Sequence, residues 1–443
     1  MARRRETYVG GGPHKGRILY GGDKRGVFGS NGRRRMGSQV RVFGKAPRRW
    51  PRVALIVALI VIFIACVWQF ACGGLPFLKA KEAEQTSSGV LSVVSQNIDV
   101  ARQKAGLNGL NGTVQEGLDT QITISAVGDC TFGKDPDFPD ATSFNAFYNS
   151  NGPAYFFANV LPFTSADNLT IANCEGTFTE SNDIQEKEFN FKAPVEYANV
   201  FVQGSVEAVN LANNHSFDYG TSGYEDTKAV LQDAGITSFG YDRTNTYEVD
   251  DVKIGLFGVN ELDGVDKATS LMIQDIERLQ KEGCAIIVGT FHWGVEGEYG
   301  VTETQVSLAH QAIDAGCDLV LGSHPHVLQG VEYYKQRYIC YSLGNFCFGG
   351  NTNPMDYRTM IYQQTFPIKN GQLAPGEAMR TQTRMVPCLV SSSSSVNDYQ
   401  STPLTGSAAT SAIEALNGYS ASLAGDGVEF YTTLDESGYS QVK

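Results

Sequence analysis

The sequence predicts a layered α/β domain, and three observations carry that prediction. Between residues 121 and 322, apolar runs of strand length alternate with amphipathic stretches of helix length, the pattern of strands interleaved with the helices that cover a sheet. The helical stretches at 222–235, 269–283 and 302–316 each stop at a glycine, which accepts the left-handed conformation that ends a helix. Chemically capable side chains (Asp, Glu, Asn, His) follow directly on the apolar runs, where ligands bind at the carboxyl ends of such sheets.

Taken in order, residues 1–52 hold 12 Arg and 3 Lys against Glu6 and Asp23, a balance of +13. The whole chain of 443 residues carries −12, so the remaining 391 carry −25. The basic segment is rich in Gly and Arg and too poor in large apolar side chains to fold; it is expected to be a disordered tail. Next comes "VALIVALIVIFIACVWQFAC", residues 53–72, which has no charge and the length of about 20 residues that a helix needs to cross a bilayer. It is read as one transmembrane helix. A cleaved signal peptide is the competing reading, but the apolar run exceeds the ~7–15 residues of such a segment and its basic prelude is too long. Arg48, Arg49 and Arg52 flank the span on one side only. The positive-inside bias therefore predicts a single-pass protein of the cell membrane with a cytoplasmic N-terminus and an extracellular main domain. The same cluster is read as a topology signal and a contact for anionic lipid; no nucleic-acid partner is expected.

Residues 79–120 are polar, with Gly and Asn, and read as a stalk. The main domain is placed at 121–390, with buried strands expected at 121–127, 168–173, 206–212, 253–259, 284–291 and 318–322. Thr302 and Gln305 form a plausible capping box for the 302–316 helix. Beyond it, "SSSSSVNDYQSTP" (391–403) reads as a Ser-rich polar linker to a C-terminal extension ending at 443, with a helix near 407–422. Seven of the nine cysteines lie past the span without a CxxC pair, and several sit inside strand-like runs, where buried thiols are the default.

The chemistry collects at the strand ends. Asp129 follows "ISAVG", Glu175 follows "TIANC", Asn214 and His215 follow "VNLAN", His292 follows "IIVGTF", and His324 and His326 follow "DLVLGS". Four of the six histidines of the chain thus terminate apolar runs. A lone His-x-His is a weak motif, a lone His292 would ordinarily be a buried hydrogen-bonded side chain, and Asp129 or Asn214 alone could cap a helix or a turn. Their conjunction at one edge is far harder to obtain by chance. Imidazoles, carboxylates and an amide oxygen without thiolates suit a catalytic divalent metal such as Mn, Fe or Zn. In an extended segment His324 and His326 would share one face, with Pro325 stiffening the arrangement.

The blocks "AVGDC", "NCEGTF", "VNLANNHSFDYG", "FHWGVEGEYG", "AIDAGCDLVLGSHPHVLQGVEYY" and "YSLGNFCFGG" resemble, in order and spacing over about residues 121–350, the bacterial capsule-synthesis CapA family, also called the poly-γ-glutamate biosynthesis family. That family is similar to the calcineurin-like metallophosphoesterases, which implies a metallophosphoesterase-like two-sheet α/β sandwich with two metal ions at strand ends. On this resemblance Asp129 would bind the first metal, Glu175 would bridge where the phosphoesterases usually have Asp, Asn214 and His292 would hold the second metal with His324, and His326 would complete the first. His215 would be the general acid at the leaving group, and Trp293, Glu298 and Asn345 would line the substrate side. One departure stands out: where the phosphoesterases read Asp-x-His, this chain has Asp129-Cys130-Thr131, so one imidazole of the first metal is missing.

The resemblance implies a role in the synthesis or export of a capsule polymer such as poly-γ-glutamate, an anionic surface polymer, with polymer synthase or export subunits as partners. The alternatives are a stand-alone metal-dependent envelope hydrolase, cleaving phosphoesters or γ-glutamyl amides, and a non-catalytic polymer-binding module.

Overall fold

The computed structural model describes residues 119–241, 243–374 and 382–443, all within the unit Lys81–Lys443. The basic tail, the 53–72 span and the stalk up to residue 118 lie outside the described residues. Among the described residues no helix is long and apolar enough to cross a membrane.

Eighteen strands and five helices of eight residues or more follow one another among these residues. The strands are β1 Thr120–Thr131, β2 Leu169–Cys174, β3 Thr177–Phe178, β4 Lys192–Ala193, β5 Ala208–Asn210, β6 Thr237–Phe239, β7 Asn245–Val249, β8 Val252–Asn260, β9 Ile286–His292, β10 Leu319–Ser323, β11 Val331–Tyr334, β12 Arg337–Cys340, β13 Asn345–Phe348, β14 Arg358–Lys369, β15 Gln372–Leu373, β16 Thr383–Leu389, β17 Thr402–Pro403 and β18 Ser440–Gln441. The helices are α1 Phe144–Asn151, α2 Gly220–Asp233, α3 Val265–Lys281, α4 Glu303–Ala315 and α5 Gly406–Ala421.

Two sheets pack face to face. The first runs β17-β16-β14-β1-β2-β5-β6, with β13 along the end of β1; the second runs β11-β12-β10-β9-β8-β7. Between them lies a fully buried layer that joins Ile122, Ile124, Leu169 and Ile171 of the first sheet to Ile254, Leu256, Ile286, Val288, Leu319 and Leu321 of the second. The outer face of the second sheet is covered by α3 and α4 through Met272, Ile276, Leu279, Leu308 and Ala312. Phe144, Phe156, Phe157, Tyr197 and Phe201 cover the outer face of the first. Sheets with both faces covered read as near-continuous apolar runs, which is why the central strands stood out in the sequence.

Parallel order aims the strands' carboxyl ends at one edge. Strands β1, β2, β5 and β6 are mutually parallel, as are β8, β9, β10 and β12. The pairing of β1 with β2 shifts between Ala126 and Asp129. Such a bulge re-aims the side chains beyond it. Ile122, Ile124 and Ala126 face the central core, Cys130 joins the outer layer, and Asp129 and Thr131 are turned to the inner side, at the mouth of the sandwich.

The C-terminal segment differs from the sequence-based expectation. The serine-rich stretch 391–403 is not a solvated linker: Ser391, Asn397, Asp398, Tyr399 and Ser401 are buried. Asp398 collects the hydroxyl of Ser391 (2.8 Å) and the backbone N–H of Ser392 (2.9 Å), and the Tyr399 hydroxyl donates to Thr142 O (2.6 Å). Serine hydroxyls serve equally well in water and around a buried carboxylate, so composition could not separate the two cases. Helix α5 then puts Ile413 and Leu416 into the central layer beside Val428 and Phe430.

Candidate metal centre

Seven of the ten residues singled out in the sequence meet at the common edge. Asp129 ends the core-facing run of β1, and its Oδ2 lies 3.1 Å from His326 Nδ1. Glu175, one residue past β2, places Oε1 3.8 Å from His326 Nε2 and 3.9 Å from both His292 Nε2 and His215 Nε2. His292 closes β9 and donates from Nε2 to Asn214 Oδ1 (2.8 Å). The His324 ring centroid lies 4.7 Å from that of His292 and 5.9 Å from that of His326.

A polar floor holds these groups. Asp129 is in register with Asn173 of β2, and Asn173 with Asn210 of β5. Asn173 Nδ2 donates to Asp129 Oδ1 (2.8 Å), while Asn173 Oδ1 accepts from Asn210 (2.9 Å) and Asn213 (3.3 Å). His215 is oriented from behind: its Nδ1 lies 2.8 Å from Asp218 Oδ2, and Lys187 Nζ is 2.6 Å from Asp218 Oδ1. That bond leaves His215 Nε2 facing Glu175.

The remaining three expected residues behave differently. Trp293 does not line a substrate face; it is fully buried, stacks on Phe291 in the layer under α3 and α4, and donates Nε1–H to Tyr341 O (2.8 Å). Its position next to His292 misled, because consecutive residues at a strand end point to opposite faces. Glu298 is exposed, and its backbone carbonyl, not its carboxylate, is held, by Gln329 (2.8 Å). Asn345 is buried and pairs with His326 through Nδ1 to Oδ1 (2.9 Å) and Nδ2 to the backbone carbonyl (3.2 Å); it fixes an imidazole. Asn173, Asp218, Lys187 and Glu296 went unnoticed in the sequence, although the i,i+3 spacing of His215 and Asp218 was a usable signal.

The His-Pro-His segment also reaches its position by a different route. It is not extended: His324 has φ 95° and His326 φ 57°. Non-glycine residues there are strained, and strain of this kind collects at functional sites. The two imidazoles come together on a tight turn and not through strand periodicity.

The electrostatics follow from burial. His292 is held well below the ordinary imidazole range by desolvation and by the neighbouring imidazoles of His324 and His326. Desolvation, then His326, lowers His324 to about 4. His215 is lowered by burial against the opposing pull of Asp218. For His326 burial also acts downward, but the carboxylates of Glu175, Asp129 and Glu296 outweigh it and raise the pKa to about 9. Glu175 is raised well above the carboxylate range, first by burial and then by Asp129. Three of the four imidazoles are thus kept in the neutral form that offers a lone pair to a metal.

The donor set fits a divalent cation. Glu175 is fully buried, and neither of its carboxylate oxygens has a hydrogen-bond partner; its approaches to the imidazoles, at 3.8–3.9 Å, are too long for hydrogen bonds. His324 Nδ1 is likewise buried and unpartnered. A buried carboxylate without donors is costly, and a cation among these atoms removes the cost. Donor atoms of Asp129, Glu175 and His326 lie within 4.8 Å of one another, as do those of Glu296, His324 and His326.

The same region is where known proteins match. A family model described as "Bacterial capsule synthesis protein PGA_cap" matches residues 123–350, which include all seven converging residues. "Capsule biosynthesis protein CapA" of Bacillus anthracis is 28% identical over 254 residues, covering 52% of this chain and 60% of that protein. "PGA biosynthesis protein CapA" of Bacillus subtilis (strain 168) is 28% identical over 252 residues, covering 52% of this chain and 64% of that one. The chain therefore spans less than two thirds of the length of these curated relatives. With more than half of its residues matched by the family model, and the strand-end cluster inside that match, the chain belongs to the bacterial capsule synthesis protein PGA_cap family.

Proposed function

We propose that this protein is a membrane-anchored, extracellular component of the synthesis or export of a capsule or poly-γ-glutamate polymer, built on a metallophosphoesterase-like sandwich with a strand-end site for two divalent ions, Mn, Fe or Zn. The observation that carries the metal site is Glu175, buried with both oxygens unpaired among three imidazoles. The relatives' names, capsule and PGA biosynthesis, support the polymer role.

In this reading Asp129, Glu175 and His326 would hold one ion, and Asn214, His292 and His324 another. Bound there, the ions would supply Lewis-acid polarisation of a substrate oxygen and an acidified water. The chain's own groups do the rest. Asp218 fixes the His215 ring so that Nε2 faces the centre, and Lys187 holds Asp218 in place. Asn345 keeps the His326 ring in its orientation. The His215–Asp218 pair favours a hydrolytic form of the activity, since an oriented, neutral imidazole can take a proton at Nε2 from an attacking water and return it to a departing oxygen or nitrogen. A phosphoesterase or γ-glutamyl amide hydrolase is accordingly the second reading, and a polymer-binding module without turnover is the third.

The test is metal analysis of the purified full-length chain after dialysis, beside His326→Ala. Close to two ions per chain, with a loss in the variant, is the expected result; a metal-free wild type would sink the metal-dependent readings. Assays on phosphodiesters and γ-glutamyl amides then separate turnover from binding.

A further inference from the structure

Thr131, where the resemblance would place an imidazole, is fully buried, and its hydroxyl has no hydrogen-bond partner. Thr131, with Cys130 of the outer layer between them, lies on the same face of β1 as Asp129. Another carboxylate stands close by. Glu296, in the loop between β9 and α4, brings an oxygen within 4.8 Å of donor nitrogens of both His324 and His326, and His324 Nδ1 is buried and unpaired.

The loop is built to hold Glu296 there. Trp293 N–H donates to Ser323 O (3.1 Å) at its start, and Gly297 N–H donates to Pro325 O (2.9 Å), between the two histidines. Gly294 (φ 83°) and Gly297 (φ 77°) bracket Val295-Glu296 in conformations that L side chains rarely adopt, which lets the chain fold back over the His-Pro-His turn. Farther along, Gln329 Nε2 ties down the carbonyls of Glu298 (2.8 Å) and Gly300 (3.0 Å), and the Tyr299 hydroxyl donates to Asp356 (3.0 Å). Glu296 itself is exposed and has no structural task in the core. A loop fixed by these five hydrogen bonds that presents one free carboxylate to two imidazoles is a ligand-bearing arrangement.

We propose that Glu296 is a ligand of the metal centre, acting with His324 and His326. The inference rests on the metal-site reading above. It changes the chemistry of the site: an added carboxylate oxygen makes the donor set harder, and harder donor sets suit Mn over Zn.

Mn²⁺ binding to the full-length protein, followed by the electron paramagnetic resonance of free Mn²⁺ during titration, tests this on wild type, Glu296→Gln and, as a surface-charge control, Glu277→Gln on α3. Glu296→Gln removes one charge from an exposed position and is expected to fold as wild type does. The expected result is one Mn²⁺ equivalent weakened by more than about tenfold in Glu296→Gln, at or above the loss typical of removing an outer-shell partner, with Glu277→Gln unchanged. Wild-type binding that Glu296→Gln leaves untouched overturns the role of Glu296 and leaves the metal site standing. A wild type that binds no Mn²⁺, Fe²⁺ or Zn²⁺ overturns both.

Discussion

Glu175 is buried and Glu207 partly so, yet their surroundings give them opposite uses. Glu207 is satisfied locally: Oε2 accepts from Thr170 N–H (2.8 Å) and Oε1 from the Ser205 hydroxyl (3.0 Å). Burial, followed by repulsion from Asp167, pushes it up to about 8. Glu175 is pushed up by burial and Asp129 without any compensating donor. In both, the folded pKa exceeds the unfolded value of about 4.5, so the folded state binds more protons than the unfolded state above that pH. Their contribution to stability is therefore full below pH 4.5 and falls as pH rises, through about 8 for Glu207. Glu207→Gln, which keeps the shape and an acceptor for Thr170 N–H, should leave urea stability unchanged near pH 4 and raise it at pH 8 by about 2 kcal/mol, well below the full shift because the group is part-buried and titrates with Asp167. An unaltered pH profile would show that Glu207 is not protonated in the fold. Glu175→Gln should likewise stabilise the metal-free protein at neutral pH, while abolishing the rise in melting temperature that added metal gives the wild type.

At the level of elements, what could be read in advance followed the length of the pattern. Helices α2, α3 and α4 lie within a few residues of their expected spans, and the Thr302–Gln305 capping box is present in full. The six apolar runs became β1, β2, β5, β8, β9 and β10. Strands β6, β7, β11 and β13, of three to five residues, were missed; so short a run has no measurable period, and β13 is a strand only because the end of β1 lies beside it. At the site, the strand-end rule found Asp129, Glu175 and His292, but Glu296 depends on a loop folding back, which no periodicity announces. Helix α5 lies where a helix of a packed extension or small module was expected, near 407–422, and its apolar face is part of the core. Leu416 is fully buried between the extension and the two sheets. Leu416→Ala should cost about 2–5 kcal/mol in urea unfolding, the range for deleting a packed leucine. A loss well under about 1 kcal/mol would mean that the extension folds apart from the sandwich.

The whole molecule sets a condition on any polymer role. Residues 53–443 carry −25, and a polyanion approaching them is repelled over a Debye length of about 8 Å at physiological salt. The cluster at the strand ends adds to this, because it gathers Asp129, Asp218 and Glu296 against Lys187 and His326. Divalent ions bound there would reverse the sign locally and give polymer carboxylates hard, positive partners. Binding of poly-γ-glutamate should therefore disappear in EDTA and return when Mn²⁺ is restored. Its salt dependence should also be inverted relative to a basic polymer-binding protein. Raising ionic strength from about 0.01 M to about 0.1 M shortens the Debye length from about 30 Å to about 10 Å, which screens the long-range repulsion more than the direct metal contact. Affinity of the metal-loaded protein should hold or rise over that range, as read by fluorescence anisotropy of labelled polymer. Binding that survives the chelator, or that weakens steadily with salt, would place the polymer contact on a basic patch away from the strand-end cluster.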